Sequence, residues 1–158
     1  MVNSERMNIG KYTTLEKLCK SQAALRHGIE NQPDAIQLAN LKDVIENIYD
    51  PLCDHFQRAI PITSGFRSAV LNSIIGGAKN SQHASGQALD LDCDGDGTPI
   101  TNNAVFYWLY NRGGFDQLIW EFGDERSPAW VHVSFNKGNN RGQVLKALKG
   151  GKYVTFEP

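Results

Sequence analysis

The chain is short of cysteine and has no long apolar run, and both shortages narrow what it can be. Only three cysteines occur in 158 residues. Cys19, Cys53 and Cys93 are odd in number, widely spaced and free of any C-x-x-C pair, which excludes a disulfide-stapled scaffold. No stretch approaches the ~20 apolar residues of a membrane helix, so no membrane partner is expected. Met1 to Lys20 is polar and lacks the apolar core of a secretory signal, so synthesis in the cytoplasm is expected. Net charge is only −1 and no basic cluster is present, so nucleic acid is not an expected partner.

What is present is an ordinary globular mixture, 41% hydrophobic and 21% charged, long enough for one core. A single domain over residues 1–158, acting as a monomer, is the expectation. Thr13 and Glu16 read as a capping box before a short helix bearing Leu15, Leu18 and Cys19 on one face. Pro33 suits the first turn of a long helix whose apolar stripe runs Ile36, Leu38, Leu41, Val44, Ile45, Ile48, Leu52. Pro51 should kink or break that helix near Tyr49.

A strand over Ile60–Thr63 and a helix over Ser68–Ile75 follow, the helix stopped by Gly76 and Gly77. Next come a polar loop, a strand over Gln87–Leu91 and an aromatic-rich helix over Thr101–Tyr110. Phe115–Phe122 and Ala129–Phe135 read as two strands of a hairpin. Gly142–Leu148 reads as a last helix and Tyr153–Phe156 as extended. The fold class is α+β: an antiparallel sheet bearing a metal site, packed against N-terminal helices.

Two of the four histidines sit where they can meet. His83 and Asp90 are too far apart for one helix to bring them to a single ion. A loop feeding a strand solves this, with Gly86 between them at the turn. Strand alternation puts Ala88, Asp90 and Asp92 on one face and Leu89 and Leu91 on the other. In the later hairpin, His132 shares a face with Trp130 and Ser134. If the loop Gly123–Pro128 closes symmetrically, Ile119 lies opposite His132 and Glu121 lies diagonal to it. His83, Asp90 and His132 would then form a three-ligand site with an open position, and Glu121 would stand beside it as a general base. Spacing alone leaves a solvated polar face as the alternative.

The segments Ser64-Gly65-Phe66-Arg67-Ser68, Ser81-Gln82-His83-Ala84-Ser85-Gly86-Gln87-Ala88-Leu89-Asp90 and Trp130-Val131-His132-Val133-Ser134 resemble, in that order, the zinc D-Ala-D-Ala carboxypeptidase family. That family belongs to a wider group with lysostaphin-type peptidases and the hedgehog signalling domain. The early segment Ser21 to Ile29, with Asn40-Leu41, is similar to a branch common in bacteriophage and prophage proteins.

The resemblance implies one zinc ion on His83, Asp90 and His132, with Arg67 contacting substrate and stabilising the oxyanion. For Arg67 a structural salt bridge is the alternative. The implied activity is an endolysin-like metallopeptidase acting on peptidoglycan peptides, either as a carboxypeptidase or as an endopeptidase. It would reach the cell wall after release or as a virion component. Several relatives carry their catalytic carboxylate three residues before the last histidine, where this chain has Ala129. The base then falls to Glu121, with Asp124 and Glu125 as weaker candidates. Ala129 also raises a second reading, an inactive phage structural or binding module that retains the fold.

Two further features compete for notice. Asp92-Cys93-Asp94-Gly95-Asp96-Gly97 opens like a calcium loop, so calcium at Asp92, Asp94 and Asp96 is a candidate. Its twelfth position is Asn103 rather than glutamate, and an acidic turn is the favoured reading. Asp92 is also a candidate partner near the zinc. A thiol hydrolase using Cys93 is disfavoured, because Asp92 and Asp94 would suppress the thiolate.

Overall fold

The computed structural model describes residues 7–158. A small ribbon of β1 (Asn8–Ile9) and β2 (Thr13–Thr14) leads into α1 (Leu15–Cys19) and α2 (Gln22–Arg26). The cap of α1 is Thr14, one residue later than the sequence suggests, and its side chain accepts from the Lys17 backbone. Leu15, Leu18 and Cys19 are buried as a set.

The long helix begins at Ala35, not on Pro33. Asp34 caps it, and Asp34 and Gln37 form a reciprocal capping box. It runs as α3 (Ala35–Val44), a π turn (Ile45–Tyr49) and α4 (Asp50–Phe56). Pro51 does not end it. The proline has no N–H to give the Asn47 carbonyl one turn back, and Arg112 Nη2 donates to that oxygen instead at 2.9 Å. From Leu41 to Leu52 the apolar stripe is buried as expected, but Ile36 is 75% exposed.

The main sheet has six strands in the order β3-β4-β6-β5-β7-β8. They are β3 (Ile62–Ser64), β4 (Ala88–Leu91), β5 (Gln117–Glu121), β6 (Trp130–Ser134), β7 (Gln143–Leu148) and β8 (Lys152–Thr155). Helix α5 (Ala69–Ile74) lies between β3 and β4, and α6 (Asn102–Arg112) precedes β5. Residues 143–148, read as a helix from sequence, form β7 and pair in parallel with β5. The sheet is therefore mixed, since the other four pairings are antiparallel.

One face of the sheet carries Leu89, Leu91, Leu118, Trp120, Val131 and Val133 into the core, against Leu41, Ile45, Ile48, Val105 and Phe106 from the helices. Burying each such side chain is worth about 1.5–3 kcal/mol, which fixes the register by fixing which face is apolar. Phe156 stacks on Trp120 and ties the C-terminal hairpin to this core. Asp90, His132, Ile119 and Glu121 are left on the other face. Among the described residues no helix is long and apolar enough to cross a membrane.

Candidate metal centre

The site begins with how tightly two irregular segments are tied down. Gly65 packs on the backbone of Leu18, where an added Cβ would lie 2.5 Å from the Leu18 carbonyl oxygen. Phe66 N donates to that same oxygen at 2.7 Å. The Asn31 amide donates to the Cys19 and Phe66 carbonyls, and its oxygen accepts from Ser68 N. Arg67 N then donates to the His83 carbonyl, joining this turn to the second segment.

The loop carrying His83 is clamped by α3 and by the approach to β5. From α3, Gln37 Nε2 donates to the Ala84 carbonyl and Asn40 Nδ2 to that of Ser85. Gly86 adopts φ +77°, and a Cβ there would sit 2.5 Å from the Gln37 carbonyl oxygen, so glycine is needed on both counts. From β5's approach, Asp116 accepts from Gln82 Nε2 at 2.7 Å. The same carboxylate takes Arg141 in a bidentate grip through Nε and Nη2.

Held this way, His83 meets the sheet. His83, Asp90 and His132 each offer a ligand atom, all within 4.8 Å of one another. Asp90 and His132 face each other across β4 and β6. Asp90 Oδ1 lies 3.2 Å from His83 Nε2 and 3.0 Å from His132 Nδ1. His83 Nδ1 lies 2.7 Å from the Gly65 carbonyl oxygen, which can only accept. Nδ1 can donate to that oxygen, which orients the ring so that Nε2 faces Asp90.

Burial opposes ionisation of Asp90, but hydrogen bonds to His132 and His83 outweigh it and hold the carboxyl below the usual range. Two imidazole nitrogens and a carboxylate oxygen are a donor set suited to zinc, and the residues present fit the ion.

Beside this trio stands Glu121. Ile119 pairs with His132 and Glu121 with Trp130, so Glu121 is the diagonal neighbour of His132. Glu121 is 6% exposed, and its Oε2 has no hydrogen-bond partner among the described residues. Burial pushes its carboxyl up to about 7, His132 pulls it down and the charge of Asp90 pushes it further up. A group poised near neutrality is what a general base requires. Ala129 N donates to the Glu121 carbonyl at 2.9 Å, so the position that lacks a carboxylate adjoins Glu121 across the hairpin.

Among the described residues Arg67 forms no salt bridge, the alternative for this residue, and its Nε is buried without a partner. Burial lowers its affinity for a proton and Asp90 restores part of it. An open cleft of about 710 Å³ is lined by Arg67, the His-Asp-His trio, Glu121 and Trp130, among others. A second cleft of about 840 Å³ meets it at Arg67 and Asp90. The arrangement can hold a metal, accept a proton beside it and offer a cation to a developing negative charge.

Other expected sites are not assembled. Among the described residues Asp92, Asp94 and Asp96 do not form a group that could hold a metal ion, so calcium gains no support. Asp92 Oδ1 accepts from Asp94 N and Asn102 Nδ2, and Asp96 Oδ1 from Thr98 N. Asp92 thus braces the start of α6 rather than the trio of His83, Asp90 and His132. Asp124 caps its own turn through Arg126 N and Ser127 N. Cys93 is buried, and its thiol is pushed up to about 11 by burial and then by Asp96 and Asp92. Both the burial and the direction of the shift oppose a thiolate nucleophile at Cys93.

Asn31, Gln37, Asn40 and Asp116 are positioning residues whose roles sequence reasoning missed. Only Asp116 left a signal, an acid at the entry to an apolar strand.

A family model described as Peptidase M15 matches residues 11–134. The matched span includes Arg67, all three clustered ligands and Glu121. A search of curated proteins gave no match.

Proposed function

Because the chain belongs to the peptidase M15 family, we propose that it is a zinc metallopeptidase hydrolysing D-Ala-type bonds in peptidoglycan stem peptides or cross-links. One observation carries the reading. The three ligand atoms of His83, Asp90 and His132 converge in a cleft that also holds an unpartnered, near-neutral Glu121 and an unpartnered Arg67 Nε.

When bound, zinc supplies Lewis acidity to the scissile carbonyl and to water. Gly65 fixes the His83 ring, and the core-facing valines on either side of His132 fix its strand. Glu121 accepts the proton of the attacking water and passes it to the leaving amine, a transfer typically worth 10²–10⁴-fold. Arg67 binds the carbonyl oxygen as charge develops on it, or a terminal carboxylate of the substrate.

The second reading, an inactive structural or binding module, is favoured by Ala129. Its backbone contact with Glu121 supports instead a base supplied from the neighbouring strand. The test is amine release from purified peptidoglycan, with and without chelator. Loss of signal on chelation and recovery with zinc are expected. Equal signal in both would reject a zinc peptidase, and no signal in either would favour the inactive module.

A further inference from the structure

The C-terminal hairpin, β7 and β8, lies beyond the matched segment, yet it builds part of the cleft. Residues directly opposite one another across a sheet point to the same face. Trp130 pairs with Glu121, Glu121 with Ala147, and Ala147 with Tyr153. These four residues form one row across β6, β5, β7 and β8, on the face that bears the metal ligands. Strands are spaced about 4.8 Å apart, so Tyr153 starts about 10 Å from Glu121 at the backbone. Between them stands only the methyl of Ala147, and a long side chain at Tyr153 can lean over it. The aromatic rings of Trp130 and Tyr153 thus flank Glu121, and both line the same cleft.

Tyr153 is 50% exposed, so its ring and hydroxyl are open to the cleft. The hydroxyls of Tyr12 and Tyr49 are engaged within the fold, by Asp54 and by the Ile60 carbonyl. Among the described residues those of Tyr107, Tyr110 and Tyr153 have no hydrogen-bond partner, and of these three Tyr153 is the one that lines the cleft. On the opposite side of the trio, Arg67 Nε is likewise unused. The cleft therefore has a free donor group on each side of its centre, Arg67 on one and Tyr153 on the other.

We infer that Tyr153 is a substrate-binding residue, its hydroxyl donating a hydrogen bond to a backbone carbonyl of the bound peptide on the side of the cleft away from Arg67. Burial and the carboxylates of Glu121 and Asp90 hold its hydroxyl protonated, which keeps it a donor at neutral pH. The role rests on the peptidase reading, but it can be tested apart from it.

Two measurements compare matched proteins, with an N-acylated peptide ending in D-Ala-D-Ala as the probe. The first is kcat/KM of wild type and Tyr153→Phe. The second is peptide binding to zinc-loaded Glu121→Gln with and without the added Tyr153→Phe. Loss of one neutral hydrogen bond should lower kcat/KM about five- to tenfold and weaken binding by a similar factor. Zinc affinity should not change, and Tyr153→Leu should lose more, because the ring goes too.

Equal values for wild type and Tyr153→Phe would overturn the assignment. So would an equal fall in zinc affinity, which would make Tyr153 a support of the metal site. Absence of peptide binding in both Glu121→Gln proteins would also count against it. A catalytically silent wild type would sink the peptidase reading while the binding comparison still judged Tyr153.

Discussion

Replacing Glu121 with glutamine should damage the enzyme and strengthen the metal-free protein, and the two effects share one cause. The carboxyl is almost wholly buried, its Oε2 is unpartnered, and burial lifts it from 4.5 to about 7. A folded-state pKa above the unfolded value means that the fold prefers the neutral acid. The resulting stabilisation is complete below about pH 4.5 and is lost as pH rises through 7. Above pH 7 the folded protein carries an unfavourable buried charge. At about 1.4 kcal/mol per pH unit the lift is worth up to about 3 kcal/mol, and the opening of the cleft to solvent trims that to about 2 kcal/mol.

Glutamine keeps the shape without the charge. Metal-free Glu121→Gln should therefore unfold about 4–8 °C higher than wild type at pH 8, with the gap closing toward pH 4. Thermal or urea unfolding after chelation, run across that range, reads the difference directly. Zinc should narrow the gap at pH 8, since a cation favours the carboxylate. Parallel stability curves at pH 4 and pH 8 would refute the reasoning, because they would mean that Glu121 titrates as an ordinary exposed acid.

Two other perturbations follow from how the site is braced. Asp116 is held down to about 2, by Arg141 first, so its contribution is present above about 3.8 and lost as pH falls toward 2. Asp116→Asn should cost about 1–2 kcal/mol at pH 7, allowing for a half-exposed Arg141, and almost nothing near pH 2; urea unfolding at both pH values checks it. Gly65→Ala would drive a Cβ into the Leu18 backbone and displace the carbonyl that orients His83. Zinc affinity should fall about 10–100-fold in competition with a chromophoric chelator, and an unchanged affinity would show that the Gly65 carbonyl does not set the ring.

Those braces explain why the site was only partly legible in the sequence. The ligand strands could be read because alternation there is local: apolar Leu89, Leu91, Val131 and Val133 must face the core, which leaves Asp90 and His132 on the other side. The hairpin register was also local, since a symmetric loop between β5 and β6 allows little else, and Ile119 does pair with His132. Asn31, Gln37 and Asp116 could not be read this way. Their partners lie 35, 47 and 34 residues away, and nothing in a polar side chain announces which distant carbonyl or amide it will meet.

The misreading of residues 143–148 has the same origin and a larger consequence. Val144, Leu145, Ala147 and Leu148 satisfy a helical spacing as well as a strand one, and no glycine or proline inside the segment decides between them. What decides is β5, whose free edge offers a parallel partner and whose Trp120 already stacks on Phe156 from beyond the hairpin. As a helix the segment would have carried Tyr153 away from the sheet. As a strand it places Ala147 beside Glu121 and Tyr153 one strand further on. The half of the cleft wall opposite Arg67 is thus specified by tertiary pairing, whereas the candidate metal ligands are specified by motif.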